Sequence, residues 1–201
     1  MCVNFKIERE LLELGYKKIA GIDEVGRGCL FGPVVAAAVI LDHTVQPIEG
    51  IDDSKKISKR KRERLARIIF EKASGVGIGF ASNIEIDAVN IQSATFKAMK
   101  RAIENLPVEP DFLLIDGRTF KNEDISYPCR VIIGGDRKCI SIAAASIIAK
   151  VVRDELMEIY SNLFPGFFIN KNKGYGTKEH FLALKDLGCT LFHRVSFNLK
   201  W

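Results

Sequence analysis

The chain has 201 residues, 47% of them hydrophobic and 27% charged, which is typical of a globular domain and excludes a disordered or fibrous protein. The net charge of +5 is compatible with a polyanionic partner, and the longest apolar run, residues 34–41, is too short to cross a bilayer. The five cysteines show no CxxC pair and no metal-finger spacing, so we expect reduced thiols in a cytoplasmic protein without a secretory signal.

The first half of the chain contains three predicted strands, which cover residues 18–24, 34–41 and 75–82. The segment GRGCLFGP supplies the turn between the first two, and together the three strands are expected to form an antiparallel meander. Between the second and third strands, Ser58 is the predicted N-cap of a helix whose buried face carries Leu65 and Ile69.

The second half of the chain alternates predicted helices and strands. Asn90 is expected to cap a helix that ends before Pro107, and strands 111–116 and 129–136 each end in an acid. A long buried helix is predicted over residues 139–160, and a last helix lies between Thr177 and Gly188. The pattern predicts one α/β domain over residues 1–201, in which a mixed sheet (the meander plus parallel strands) is flanked by helices and residues 155–201 form a C-terminal helical extension.

Acidic side chains gather at the predicted strand ends. Asp23, Asp116 and Asp136 each stand at the carboxyl end of a predicted strand, where sites of α/β sheets form, and Glu24 follows Asp23 directly. Such carboxylates suit Mg²⁺ or Mn²⁺, although helix capping or salt bridges to Arg and Lys would also explain each of them singly. Because neighbours on a strand face opposite ways, we expect the strand to break near Gly26 if Asp23 and Glu24 share one site.

Several motifs occur together in a characteristic order. They are GIDEVGRG, DSKKIS, LLIDG, GGD followed by AAASIIAK and VVRD, and KGYGT followed by His180. With these motifs the chain resembles the type 2 ribonucleases H, and most closely the bacterial ribonuclease HII family. The absence of a domain before GIDEVGRG disfavours ribonuclease HIII. The residues after GRG and before AAS depart from the family pattern, with Cys29 in place of proline and Ala143 in place of serine.

The resemblance implies a ribonuclease H-like fold and an endonuclease with two divalent ions, Mg²⁺ or Mn²⁺, at its site. Such an enzyme cleaves the RNA strand of RNA–DNA hybrids and incises duplex DNA on the 5′ side of embedded single ribonucleotides. The implied metal-binding and catalytic acids are Asp23, Glu24, Asp116 and Asp136. The implied substrate-binding residues are Gly26, Arg27, Gly28, Lys55, Lys56, Ser146 and Tyr175. We expect a cytoplasmic monomer with no membrane partner.

Other basic residues carry weaker expectations. Most of the run KKISKRKRERLAR, residues 55–67, is interpreted as a solvated helix face, and Lys150, Lys171 and Lys173 are weaker candidates for phosphate contacts. His180 is expected near the substrate, and His193 is expected to be an ordinary core or surface residue.

Two other classes of protein remain possible from the sequence. One is a non-catalytic nucleic-acid-binding module of the same fold, although all four acids of the motif are present. The other is an actin-like phosphotransferase, because GID followed by a glycine turn resembles the opening strand of that class. That class needs a second phosphate loop and normally far more residues.

Overall fold

The computed structural model describes residues 5–42, 48–51, 57–120 and 125–199. A five-stranded mixed sheet forms its centre, in the spatial order β3-β2-β1-β4-β5. The strands are β1 (Ile19–Val25), β2 (Val34–Leu41), β3 (Ala73–Ala81), β4 (Phe112–Asp116) and β5 (Cys129–Ile132). The pairs β1–β2 and β2–β3 are antiparallel, whereas β1–β4 and β4–β5 are parallel. The predicted meander with added parallel strands is therefore confirmed.

The helices are α1 (Lys6–Glu13), α2 (Lys59–Lys72), α3 (Asn83–Val89), α4 (Ile91–Glu104), α5 (Ile140–Leu163), α6 (Ile169–Asn172) and α7 (Lys178–Leu187). The two predicted caps are confirmed, because the side chains of Ser58 and Asn90 each accept a backbone N–H of the following first turn, and Thr177 caps the last helix in the same way. The predicted long helix and the last helix correspond to α5 and α7.

Two predicted strand ends are wrong. Ser82 does not end β3; it caps α3 through a capping box with Glu85, which ends the strand at Ala81. The strand predicted over residues 129–136 ends at Ile132, because Gly134 takes a left-handed conformation with φ 63° and a 3₁₀ turn follows over Gly135–Arg137. Asp136 therefore stands on that turn and not at a strand end.

Helices cover both faces of the sheet. The β2 strand is buried along its whole length, as its sequence VVAAAVIL requires. Helix α4 packs on one face, with Ala98 and Ala102 in the core, and α2 and α5 pack on the other. A Cβ at Gly21 would lie 2.1 Å from the Ser141 carbonyl carbon, so only glycine lets α5 approach β1 this closely. This approach brings the middle of α5 to the carboxyl end of β1.

Helix α1, which was not predicted, holds the start of α5 in place. The buried Glu8 carboxylate accepts hydrogen bonds from the Ser141 N–H at 3.0 Å and from the Ser141 hydroxyl at 2.7 Å. A carboxylate from another helix thus does the work of an N-cap for α5, whose own preceding residue, Cys139, makes no side-chain cap.

The C-terminal segment packs around Phe31. A separate apolar cluster contains this ring together with Met157, Phe167, Ile169 and Leu184. Helix α5 runs without interruption through position 155, where the C-terminal extension was predicted to begin. Within the described ranges, none of the helices has the length and apolar character needed to span a membrane.

Candidate active site

The two acids of β1 lie on opposite faces of the sheet. Asp23 pairs with Ala37 and Glu24 with Ala36, and the pairing of β1 with β2 continues without a shift to Val25. The strand therefore does not bend between the two acids, and it ends at Val25, directly before Gly26. Asp23 accepts a hydrogen bond from Ser146 of α5, whereas Glu24 lines a cleft beside α4. The two side chains reach the end of the neighbouring strand from its two sides.

Asp116 lies between them at the end of β4. The last registered pair of β1 and β4 is Ile22 with Ile115, so Asp116 follows as the natural neighbour of Asp23. Its Oδ1 accepts the Gly135 N–H at 2.6 Å, which ties the strand end to the 3₁₀ turn. The register of two parallel strands thus brings together acids that are far apart in the sequence.

The charges of these acids repel one another. Burial first, and then the charges of Glu24 and Asp116, raise the pKa of Asp23 well above its usual value. Burial also raises the pKa of Glu24, and Asp116 adds to this, although Arg27 at 3.4 Å opposes the shift. A cation among the three carboxylates would remove this repulsion.

Asp136 is buried one residue after Gly135, and its Oδ1 lies 3.8 Å from Nε of Arg137. In the part of the chain that the structure describes, no three acid, histidine or cysteine side chains are already gathered as a metal site. The chemistry of the donors nevertheless fits a hard divalent ion, because carboxylate oxygens that repel one another are the ligands that Mg²⁺ and Mn²⁺ prefer.

The predicted glycine turn is present directly after β1. The Cys29 N–H donates to the Gly26 carbonyl at 3.3 Å, which closes the turn, and a proline in place of Cys29 would lack this donor. Arg27 projects into solvent with half of its side chain exposed, beside Glu24. Gly26 has φ 93°, a conformation that side chains rarely adopt.

A buried arginine from α5 supports this turn. Arg153 donates to the carbonyls of Pro33 at 3.2 Å, Phe31 at 3.1 Å and Lys173 at 2.7 Å. Its three backbone bonds join the end of the segment between β1 and β2 to the loop around residue 173. No carboxylate is among these partners, so the guanidinium stabilises the backbone of these segments through its hydrogen bonds.

A second buried arginine, Arg194, donates to the carbonyls of Gly32 at 2.9 Å and Arg27 at 2.9 Å. Burial lowers its pKa to about 10, so the group is charged at neutral pH. Neither arginine could be recognised as a support from the sequence, because an arginine bonded to backbone carbonyls has no partner that a sequence pattern reveals.

Replacement of Gly26 by alanine is expected to destabilise the fold. A Cβ there would lie 2.2 Å from Nε of Arg153, and the strained φ alone costs about 1–3 kcal/mol. Denaturant unfolding measures the loss. The matched control is Gly28→Ala, since a Cβ at Gly28 meets nothing within 4 Å. Equal stability of the two variants would contradict this account of the turn.

Tyr175 lies directly beside the turn. It forms an isolated β-bridge with Cys29, and the Leu30 N–H donates to the Gly174 carbonyl at 2.8 Å. Its ring is 41% exposed and contacts the Cys29 thiol. The structure therefore brings the predicted turn and the predicted tyrosine together on one surface.

The remaining predicted contacts are distributed differently. Ser146 is buried and hydrogen-bonded to Asp23, so its described partner is an acid of the site. Lys150 is paired with Asp154 at 2.6 Å, and Lys173 with Glu158 at 2.6 Å. Lys55 and Lys56 lie outside the described residues.

An open cleft of about 350 Å³ adjoins the acids on the α4 side. Glu24 and Asp116 form part of its wall, which Gln92, Thr95 and Arg118 also line. The cleft is polar and open to solvent, which suits a large polar substrate better than a small buried ligand.

A model of the family described as Ribonuclease HII matches residues 20–200. The chain is 52% identical to Ribonuclease HII of Pediococcus pentosaceus over 193 residues, which cover 96% of this chain and 74% of that protein. It is also 52% identical to Ribonuclease HII of Syntrophus aciditrophicus over 195 residues, which cover 96% of this chain and 90% of that protein.

Three solved structures are similar in fold. The ribonuclease H2 of Pyrococcus horikoshii OT3 superposes with a TM-score of 0.76 at 23% identity, covering 90% of this chain and 94% of that one. The RNase HII of Archaeoglobus fulgidus, solved in complex with PCNA, gives 0.76 at 26% identity over 92% and 96%. Bst-RNase HIII, solved in complex with Mn²⁺, gives 0.67 at 21% identity over 94% and 69%. The expected ribonuclease H-like fold is therefore confirmed.

Proposed function

Because the chain belongs to the ribonuclease HII family and is thus an endoribonuclease of ribonuclease H type 2, we propose that it cleaves the RNA strand of RNA–DNA hybrids and incises duplex DNA on the 5′ side of an embedded ribonucleotide. The observation that carries the proposal is the placement of Asp23, Glu24 and Asp116 at adjoining strand ends beside the glycine turn. Carboxylates gathered beside an open polar cleft are the arrangement that a metal-dependent nuclease needs.

In this proposal Asp23, Glu24, Asp116 and Asp136 hold two divalent ions, Mg²⁺ or Mn²⁺. When bound, such ions would act as Lewis acids that activate water and stabilise the leaving oxygen of a phosphodiester. Ser146 orients the Asp23 carboxylate through its hydrogen bond, and the Gly135 N–H orients Asp116. Arg27 balances part of the negative charge at Glu24 before an ion binds.

The glycine turn reads the sugar. Backbone groups of Gly26, Arg27 and Gly28 would hydrogen-bond the 2′-hydroxyl, which distinguishes RNA from DNA. The open space at Gly28 supports this role, because a sugar can approach the backbone there without meeting a side chain. The exposed ring of Tyr175 packs on the next sugar, where a deoxyribose fits and an extra hydroxyl would be crowded.

The partners follow from this chemistry. Lys55 and Lys56 would contact phosphates of the duplex without regard to sequence, and Ser146 stands near enough to the acids to assist substrate binding.

We further propose a monomer, with residues 1–201 forming one catalytic domain and residues 155–201 its helical extension. A cytoplasmic location is proposed because the described cysteines, which include Cys29 and Cys139, are free thiols.

The proposal is tested by cleavage of a DNA duplex that contains one ribonucleotide, with and without Mg²⁺ or Mn²⁺, beside an all-DNA duplex of the same sequence. We expect cleavage of the first duplex only, and only with metal. Binding of both duplexes without cleavage of either would instead identify a nucleic-acid-binding module that retains the fold.

A further inference from the structure

Two buried histidines are linked to the backbone of Tyr175. His180 Nδ1 lies 2.9 Å from the Tyr175 carbonyl oxygen, and His180 Nε2 lies 3.1 Å from His193 Nε2. At the far end, His193 Nδ1 lies 2.9 Å from the backbone nitrogen of Thr190 and 2.9 Å from its hydroxyl. The chain of contacts thus runs from Thr190 through both rings to Tyr175.

The protons in this chain are determined from both ends. A carbonyl oxygen only accepts, so the Tyr175 contact places a proton on His180 Nδ1 and leaves Nε2 of the neutral ring as an acceptor. A backbone N–H only donates, so Thr190 requires an unprotonated Nδ1 on His193 and therefore a proton on its Nε2. The two assignments are compatible with each other, because His193 Nε2–H can then donate to the unprotonated His180 Nε2. Only the neutral pair satisfies every contact.

The surroundings of the pair favour this neutral form. Both rings are buried, with 0% exposure for His180 and 1% for His193, and His193 packs against Phe31 and Phe167 with ring centroids 5.0 Å away in each case. Burial lowers the pKa of both histidines, and His193 is lowered to about 4. The pair is therefore uncharged at neutral pH.

The pair also flanks the segment that follows the glycine turn. Cys29 forms a β-bridge with Tyr175, and Phe31 forms one with His193, so the segment after the turn lies between the tyrosine and the histidine. Asn83 of α3 donates to the His193 carbonyl at 3.3 Å, which fixes the far side. Movement of either histidine would displace Tyr175 relative to the turn.

We propose that His180 and His193 are positioning residues, which hold the Tyr175 backbone through a neutral histidine–histidine hydrogen bond and so set the tyrosine ring at the distance that distinguishes deoxyribose from ribose. This rests on the proposed role of Tyr175 in reading the sugar after the ribonucleotide. Neither histidine touches the substrate in this account. They act on the selectivity between substrates and leave the acids undisturbed.

The test compares cleavage of the single-ribonucleotide duplex with cleavage of a continuous RNA–DNA hybrid. His180→Gln places its donor near the Nε2 position and loses the bond to Tyr175, whereas His180→Asn places its donor near the Nδ1 position and keeps it. The measured ratio is the cleavage rate of the single-ribonucleotide duplex divided by that of the continuous hybrid. We expect His180→Gln to lower this ratio roughly two- to tenfold, the effect of one lost hydrogen bond, and His180→Asn to keep it close to the wild-type value. Leu191→Ala, on the exposed neighbouring segment, is the control and should leave the ratio unchanged.

His193 is tested by the matched pair His193→Phe, which keeps the ring and removes the donor, and His193→Gln, which keeps a donor toward His180. We expect the phenylalanine variant to lower the ratio and the glutamine variant to preserve it. Thermal unfolding of each variant separates a loss of folded protein from a loss of selectivity. Equal losses on both substrates for all four histidine variants would overturn the proposal.

An independent measurement needs no variant and no cleavage. Nitrogen-15 NMR of the histidine rings should show His180 protonated at Nδ1 and His193 protonated at Nε2, with both rings neutral at neutral pH. Any other tautomer, or a charged ring, would overturn the proposed histidine–histidine hydrogen bond, even if Tyr175 contacts the sugar as proposed. Conversely, the NMR spectra could show the expected tautomers while Tyr175→Ala has no effect on selectivity. That result would overturn the proposed function of the tyrosine but not the hydrogen bonds between the histidines.

Discussion

Replacement of Asp116 by asparagine is expected to abolish cleavage. Loss of a residue that only hydrogen-bonds to a metal ligand lowers metal affinity or activity about 10–100-fold, so the loss of a proposed direct ligand should exceed about a hundredfold. The substitution is nearly isosteric, and the amide oxygen still accepts the Gly135 N–H that Asp116 accepts at 2.6 Å. The activity should therefore be lost without loss of the fold. Single-turnover cleavage with Mn²⁺ measures the effect.

The same variant should be at least as stable as the wild type when no metal is present. The charge of Asp116 is one of the causes that raise the pKa of Asp23, so its removal relieves repulsion in the folded state. Thermal unfolding in EDTA and in Mn²⁺ tests this, and the stabilisation by Mn²⁺ should shrink in the variant. Asp186→Asn, at an exposed acid of α7, is the control. Cleavage by Asp116→Asn at a near wild-type rate would remove this residue from the site.

Replacement of Tyr175 by alanine is expected to impair cleavage of a single-ribonucleotide duplex far more than cleavage of a continuous hybrid. Stacking of an aromatic ring on a base is worth about 1–3 kcal/mol, or roughly 5- to 150-fold, which is an upper bound for the contact of Tyr175 with a sugar. Only the first substrate offers a deoxyribose after the ribonucleotide. Because the ring is 41% exposed, its loss should destabilise the fold only slightly. The ratio of kcat/KM for the two substrates measures the selectivity.

Tyr175→Phe is the matched control for this prediction. It keeps the ring and removes only the hydroxyl, whose described partner is the Cys29 thiol. The phenylalanine variant should therefore retain the selectivity. If the alanine variant lost activity equally on both substrates, Tyr175 would support the fold or general binding, and the reading of the junction would have to be abandoned.

Local signals in the sequence were sufficient for most of the fold. Ser58, Asn90 and Thr177 cap helices because a short polar side chain at that position can accept a backbone N–H of the first turn that has no partner within the helix. Helix α3 was missed because its capping box begins at Ser82, which the preceding alternating pattern had assigned to the strand. Element ends depend on a single competing hydrogen bond, which periodicity does not show.

The acids of the site were also predictable, but not the way in which they meet. Asp23 and Asp116 were recognised because each closes an apolar strand, and the parallel register then places them side by side. No bend between Asp23 and Glu24 is needed, because Glu24 reaches the site from the other face of the sheet. Arg153 and His193 were missed as supports, because their partners are backbone groups or another buried ring distant in the chain.

The most direct test of the account is to map the products that the wild-type protein makes from a duplex with one embedded ribonucleotide, in Mg²⁺ or Mn²⁺ and in EDTA. The account predicts a single incision on the 5′ side of the ribonucleotide, which leaves that ribonucleotide at the 5′ end of the downstream fragment, and no product in EDTA. Incision on the 3′ side would contradict the assignment of the glycine turn and Tyr175, and undiminished cleavage in EDTA would contradict the metal site at Asp23, Glu24 and Asp116.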